Sequence, residues 1–279
     1  FNFILTASSE ELDEVVISNQ NTISRPKETP LSTQSLSAVE IATYPGGNND
    51  IAKVIQSFPG VSGSVAGFRN DVIIRGGAPN ENVYYLDGIE IPTINHFSTQ
   101  GSAGGPVGLL NVSFFEGVTL SASSFAASYD NALSGVLEFD QRNGNSREFV
   151  GNFRLGSSES ALTFEGPLFK SDKPEANTSY IVSVRRSYLQ LLFQAIGLPF
   201  LPDYWDYQYK ITHQINSKNE VLFTGVGSID NSSVNELDEF DAEQKAIQDQ
   251  VPVLEQQSNT IGMRWRHRFN DNKGLMDVI

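Results

Sequence analysis

Cysteine is missing from all 279 residues, which removes a disulfide framework, a thiol nucleophile and any Cys-ligated metal from consideration. Histidine is scarce: His96, His213 and His267 are the three, without the spacing of a metal site, and each is read as structural. No run approaches the roughly 20 apolar residues of a membrane helix. The nearest, Leu189 to Pro202, is broken by Gln190, Gln194, Gly197 and Pro199. Positive charge is in short supply, 19 Lys plus Arg against 33 Asp plus Glu, for a net charge of −14. That balance argues against nucleic acid and against an anionic membrane surface as partners. No basic n-region precedes Phe1, so no signal peptide is read there and the chain is taken as a processed or excised piece. Enzyme signatures are missing too. The glycine-rich stretch Gly101 to Gly108 is not followed by Gly-Lys-Ser/Thr, and there is no Gly-x-Ser-x-Gly elbow. No catalytic residue, cofactor or metal is expected. A membrane β-barrel survives all these absences, because its alternating strands leave hydropathy near neutral.

What is present centres on Asp71 to Pro92. Val72–Ile74 and Val83–Leu86 are rich in β-branched and aromatic residues and read as strands of a hairpin-like unit. Arg75 to Asn80 supplies turn formers between them, and Asp87-Gly88 makes a second tight turn. Before this unit, Ser37-Ala38-Val39-Glu40 offers a capping box, and Asp50 caps a second helix over Ile51–Ser57 that Pro59-Gly60 stops. After it, Leu109–Val112 reads as a short helix, with strands at Phe115–Leu120 and Val136–Gln141. This is an α+β unit with helices and strands segregated. Upstream, Asp13 to Ser18 is a short β-prone peptide on an arm, Asn19 to Ser37, expected to be extended and mobile. Such a peptide suits pairing with a partner's sheet edge, and an ordinary edge strand of its own fold is the alternative.

Beyond Asn145 the pattern becomes strict alternation. Tyr207, Tyr209 and Ile211 oppose Gln208, Lys210 and Thr212. Ile261, Met263, Trp265 and Phe269 oppose Gly262, Arg264, Arg266 and Arg268. Three arginines on one strand face would be costly in a protein core but not against a wet lumen. Short turns at Ile215–Asn219 and Asn270–Gly274 fall on one rim, and long loops at Tyr188–Asp203 and Asn231–Gln257 on the other. A soluble sandwich also alternates, so this half alone leaves barrel and sandwich open. The acidic run Glu236 to Glu243 lacks the ligand pattern of a calcium loop and reads as solvated external loop.

Taken together, the chain resembles a TonB-dependent outer-membrane receptor. The stretches that carry this are Ile55-Gln56-Ser57-Phe58-Pro59-Gly60-Val61, Ile73-Ile74-Arg75-Gly76, Tyr85-Leu86-Asp87-Gly88-Ile89, Phe115-Glu116-Gly117-Val118 and Ser128 to Val136, in the family's order. The resemblance implies an α+β plug domain followed by antiparallel transmembrane β-barrel strands, an incomplete barrel, in the cell outer membrane. It divides the chain into residues 1–37, 38–145 and 146–279: a linker segment, the plug, and the first six to seven wall strands. Asn80 to Ile91, with Asn95-His96-Phe97, is similar to a subgroup common in Bacteroidetes, in which Phe1–Leu5 would end an upstream carboxypeptidase-regulatory-like domain. Asp13, Glu14, Val15, Val16, Ile17 and Ser18 then fall at the TonB box, implying TonB with ExbB and ExbD as partners, besides outer-membrane lipid and an external ligand. Arg75, Gly76, Asp87 and Gly88 are the plug motif residues. Arg185, Arg264, Arg266 and Arg268 are expected to face the lumen, opposite Arg69, Asp71, Arg75 and Glu81 of the plug loops. The implied activity is energy-coupled import of a scarce ligand. A structural or secretion-associated outer-membrane protein on the same fold is the alternative.

Overall fold

The computed structural model describes residues 33–279 apart from 48–49, 64–68, 100–101, 103–104, 106, 124, 127, 157, 170–173, 199, 236–252 and 270–273. Asp13–Ser18, Phe1–Leu5 and the acidic run 236–243 lie outside the described residues.

The first half is built on a five-stranded sheet. Its elements are β1 (Thr33–Ser37), α1 (Ala38–Thr43), α2 (Ile51–Ile55), β2 (Val61–Ser62), β3 (Ile73–Ile74), β4 (Asn82–Leu86), β5 (Ile89–Ile91), β6 (Phe115–Ser121) and β7 (Gly135–Gln141). The sheet order is β1-β6-β7-β4-β5, while β2 and β3 form a separate pair. Helix α1 begins with the capping box, Ser37 accepting from the Glu40 amide and Glu40 accepting from the Ser37 amide. Asp50 caps α2 by accepting from the Ala52 amide. The buried faces Ile51, Ala52, Val54 and Ile55 of α2 then pack with Leu86, Ile91, Leu120, Leu137 and Phe139 of the sheet into one core.

Three local expectations are corrected. Val72–Ile74 and Val83–Leu86 are not paired with each other: β3 pairs with β2, and β4 lies between β5 and β7, parallel to the latter. The left-handed backbone of Arg75 (φ 51) and Gly76 (φ 80), followed by a 3-10 turn at Pro79–Glu81, carries the chain away from hairpin geometry. Leu109–Val112 is not helical; a 3-10 turn at Val112–Phe114, capped by the Asn111 side chain, replaces it. Thr33–Ser37, expected as the end of the mobile arm, is instead β1, hydrogen-bonded to β6.

The second half is an antiparallel meander of seven strands: β8 (Val150–Leu155), β9 (Glu159–Pro167), β10 (Thr178–Ser187), β11 (Phe200–Asn216), β12 (Asn219–Val234), β13 (Leu254–Arg268) and β14 (Leu275–Val278). A helix, α3 (Leu189–Ala195), sits between β10 and β11. The sheet does not close, β8 and β14 being its edges. β11 and β12 run 17 and 16 residues, longer than the 9–11 that cross a bilayer, so they climb into spans expected as loops. Alternation is strict over Pro202–His213 of β11 and is interrupted on β12 by the buried run Thr224–Ser228. Tyr204, Asp206, Gln208, Lys210, Thr224, Ser228 and Asp230 are buried on the face turned to the plug. Trp205, Phe223, Ile229, Ile261 and Met263 are exposed on the other. A polar inside with an apolar outside is the inverse of a soluble sandwich and the pattern of a barrel wall.

Candidate functional site between plug and wall

The joint between the two halves is largely a polar contact, with Val226 of β12 reaching the plug's apolar core and Ile89 packing on Gly262. It can be followed from the rim that carries α3 down to the rim where the chain passes from plug to wall.

Near the α3 rim, the segment after β5 presents His96, whose ring is fully buried. Its Nδ1 lies 2.7 Å from Asp230 Oδ1 and its Nε2 lies 3.1 Å from Asp206 Oδ2. The Tyr204 ring stacks on the imidazole at 3.9 Å, and the Phe97 amide donates to Asp230 at 3.0 Å. Burial opposes charge on His96, but its hydrogen bonds to Asp206 and Asp230 outweigh it and hold its pKa above the ordinary imidazole range. Beside it, Arg185 of β10 is 1% exposed. Its Nε donates to Asp206 at 2.8 Å, its Nη1 approaches Glu159 at 3.5 Å, and its Nη2 donates to the Gly108 and Leu109 carbonyls at 3.0 and 2.5 Å. Removing a guanidinium from water costs several kcal/mol unless its donors are matched. Here plug carbonyls and wall carboxylates share that task.

At mid-height Asn111 is held from both sides. Its amide donates to Gln208 Oε1 at 2.9 Å and its side chain donates to Ser183 at 2.8 Å. Gln141 donates to Asp87 at 2.8 Å and to Thr224 at 2.7 Å, and accepts from Gln208 at 2.8 Å. Asp87 sits in the β4–β5 turn. Positive φ at both Asp87 (52) and Gly88 (88) is the type I′ arrangement that suits Asp-Gly, and it turns the Asp87 carboxylate towards Gln141 and Lys210, 3.3 Å away. Lys210 also donates to the Gln141 carbonyl at 2.6 Å, and Arg264 donates to the Asp87 carbonyl at 2.7 Å. Ile89 presses on the backbone of Gly262, where any Cβ would collide with it. At the lower rim, Arg142 makes a paired contact with Glu165, at 2.7 and 3.0 Å, just before the chain enters β8.

A second hub braces the plug apex. The buried Asp50 carboxylate, besides capping α2, accepts from the Gly108 amide at 3.1 Å and from the Asn70 side chain. One residue thus ties α2 to the segments that carry Asn70 and Gly108.

The structure brings Asp87, Gly88, Arg185 and Arg264 of the singled-out residues to this joint. Arg75 and Gly76 form an exposed turn elsewhere on the plug. Arg266 turns to Asp277 of β14 at 2.7 Å, and Arg268 is exposed at the end of β13. The expected charge partners differ. Arg69 pairs with Asp71 at 3.1 Å, and Glu81 accepts from Ser134 within the plug. Arg185 takes its carboxylates from its own wall and only carbonyl oxygens from the plug, because a turn of backbone packs closer to a strand face than a long charged loop does. His96, Asp206 and Asp230 were missed. Asp206 has the parity of Gln208 and Lys210, which was the available signal.

Residues 25–136 match the family model of the TonB-dependent receptor plug domain. Among curated proteins no sequence matches. Of solved structures, the siderophore receptor PirA from Acinetobacter baumannii is similar over 86% of this chain and 38% of its own, at 17% identity and TM-score 0.58. The ferripyoverdine receptor of the Pseudomonas aeruginosa outer membrane is similar over 88% and 33%, at 16% identity and TM-score 0.58. The outer membrane transporter YddB from Escherichia coli is similar over 84% and 36%, at 13% identity and TM-score 0.52. The chain therefore spans between a third and two fifths of the length of these proteins. Its fold is that of a TonB-dependent receptor plug domain continued into the antiparallel strands of an incomplete β-barrel.

Proposed function

We propose that the chain is the plug and opening wall of a TonB-dependent outer-membrane transporter, of the kind similar to Bacteroidetes receptors, which imports a scarce ligand by energy-coupled displacement of the plug. The observation that carries this is the joint itself: a folded domain attached to a β-wall mainly through hydrogen bonds and ion pairs, Val226 being the one described wall residue in the plug's apolar core. A wide barrel of about 22 strands needs a filled lumen, and a filler that must later move is best held by polar contacts that water can replace. Contact of a ligand with the apex segments Asn70–Asp71 and Thr93–Ser98 would act on Asp50 and through it on α2, shifting the plug's population of states. The segment Asp13–Ser18 would then pair, as an added strand, with TonB energised by ExbB and ExbD. Ferric siderophores, bound by receptors of this fold, are the first ligands to try. The test is deletion of Asp13–Ser18 in the full-length protein. Uptake should be lost with ligand binding intact. Unchanged uptake would overturn the role of Asp13–Ser18 in energy coupling, and an intact protein that takes up no ligand would favour the structural or secretion-associated role.

A further inference from the structure

We infer that His96 is a proton-operated latch between the plug segment Thr93–Phe97 and the wall, closed when its imidazole carries two protons and loosened when it carries one.

The argument is geometric. Each ring nitrogen faces a carboxylate oxygen within hydrogen-bond distance, Asp230 at 2.7 Å and Asp206 at 3.1 Å. An ionised carboxylate only accepts, so both contacts are satisfied only if both nitrogens donate, which is the imidazolium. A neutral ring would donate to one aspartate and turn a lone pair on the other, in a place without solvent, the ring being 0% exposed.

The neighbouring charges point the same way. Among the described residues, the charged groups around the ring are Asp206 on β11, Asp230 on β12, Arg185 on β10 and Glu159 on β9, with Arg154 of β8 behind Glu159. With His96 neutral, three carboxylates would share the two charges of Arg185 and Arg154, the latter held by Glu159 at 2.7 Å. With His96 charged, three cations meet three anions, and Glu159 keeps a further donor in the Tyr204 hydroxyl at 3.1 Å. Asp230 accepts the Phe97 amide with its second oxygen, so the carboxylate that reads the proton also holds the backbone of the latch. The other limb of the loop is joined to it: the His96 amide donates to Val107 at 2.9 Å, and Gly105 lies so close to the His96 carbonyl that no side chain would fit.

Loss of the proton removes one of these wall contacts and leaves Asp206 with Arg185 alone, or Asp230 with the Phe97 amide alone. The latch is thus firm at acid pH and slackens as pH rises through the His96 pKa. It rests on the plug-in-wall reading but needs no ligand and no energised partner.

The experiment uses the full-length protein in detergent micelles, labelled with ¹⁵N-histidine, with His96 assigned by its disappearance in His96→Gln. Imidazole nitrogen shifts are expected to show two N–H groups at neutral pH, converting to one as pH rises. Asp230→Asn should move that conversion to lower pH. Hydrogen exchange at Thr93–Phe97, relative to the intrinsic rate at each pH, should accelerate across the same range in the wild type. In His96→Gln it should stay pH-independent. A single N–H at neutral pH, with the proton on an aspartate or absent, overturns the latch, as does an Asp230→Asn protein with unchanged titration. Either result leaves the transporter reading standing, and failure of the Asp13–Ser18 deletion test leaves the latch standing.

Discussion

Arg185 Nη2, on wall strand β10, donates to the carbonyl oxygen of Leu109 in the plug at 2.5 Å while its Nε holds Asp206 of the next wall strand at 2.8 Å. One side chain therefore orders both halves. Arg185→Met should remove the donor and leave Asp206 with His96 as its remaining cation and Glu159 with Arg154. Breaking a buried pair in this way costs about 3–5 kcal/mol. Chemical denaturation of the full-length protein should reveal it, and Arg185→Met combined with Asp206→Asn should recover part of the loss. Strict additivity of the two substitutions would show that the pair is not coupled.

The absence of cysteine makes a clean mechanical test possible. Asn111 and Ser183 already touch across the joint at 2.8 Å, so Asn111→Cys with Ser183→Cys has no native thiol in this chain to compete. Oxidation should bridge plug and wall and stop uptake while external ligand still binds; reduction should restore transport. Full uptake by the bridged protein would mean that this part of the plug stays in place.

Asp140 on β7 has its carboxyl pushed up to about 6 by burial, with Asp87 and Glu138 adding repulsion. A folded-state pKa above the unfolded one means that folding favours the protonated form. The contribution is complete below about pH 4, the unfolded value, and declines as pH rises to about 6. Asp140→Asn should accordingly raise plug stability above pH 6, by about 1–3 kcal/mol, with the gain shrinking in acid. Denaturation curves at pH 4 and pH 8 compare the two regimes, and an equal effect at both would contradict this account.

Gly262 on β13 receives Ile89 from the plug. Gly262→Val should force the two apart and destabilise the joint by about 1–3 kcal/mol. Adding Ile89→Ala should relieve it. If proteolysis of the plug is no faster in Gly262→Val than in the wild type, the contact does not hold the plug.

Much of this protein was legible in its residues because the information was local. Alternation along Tyr207–Thr212 and Ile261–Phe269 sorted a wet face from an apolar one, since side chains of a strand alternate whatever it pairs with. Ser37 with Glu40, and Asp50, marked helix starts because capping spans only three residues. Asp87-Gly88 marked its turn because left-handed backbone favours those residues. Tertiary structure alone decided what these pieces meet. The parallel pairing of β4 with β7 joins residues more than 50 apart, and no local pattern distinguishes it from the hairpin that Val72–Ile74 suggested. Placing His96 between Asp206 and Asp230 needed two wall strands and a plug segment at once, because a charge constellation assembled from three distant stretches leaves no spacing along the chain to read.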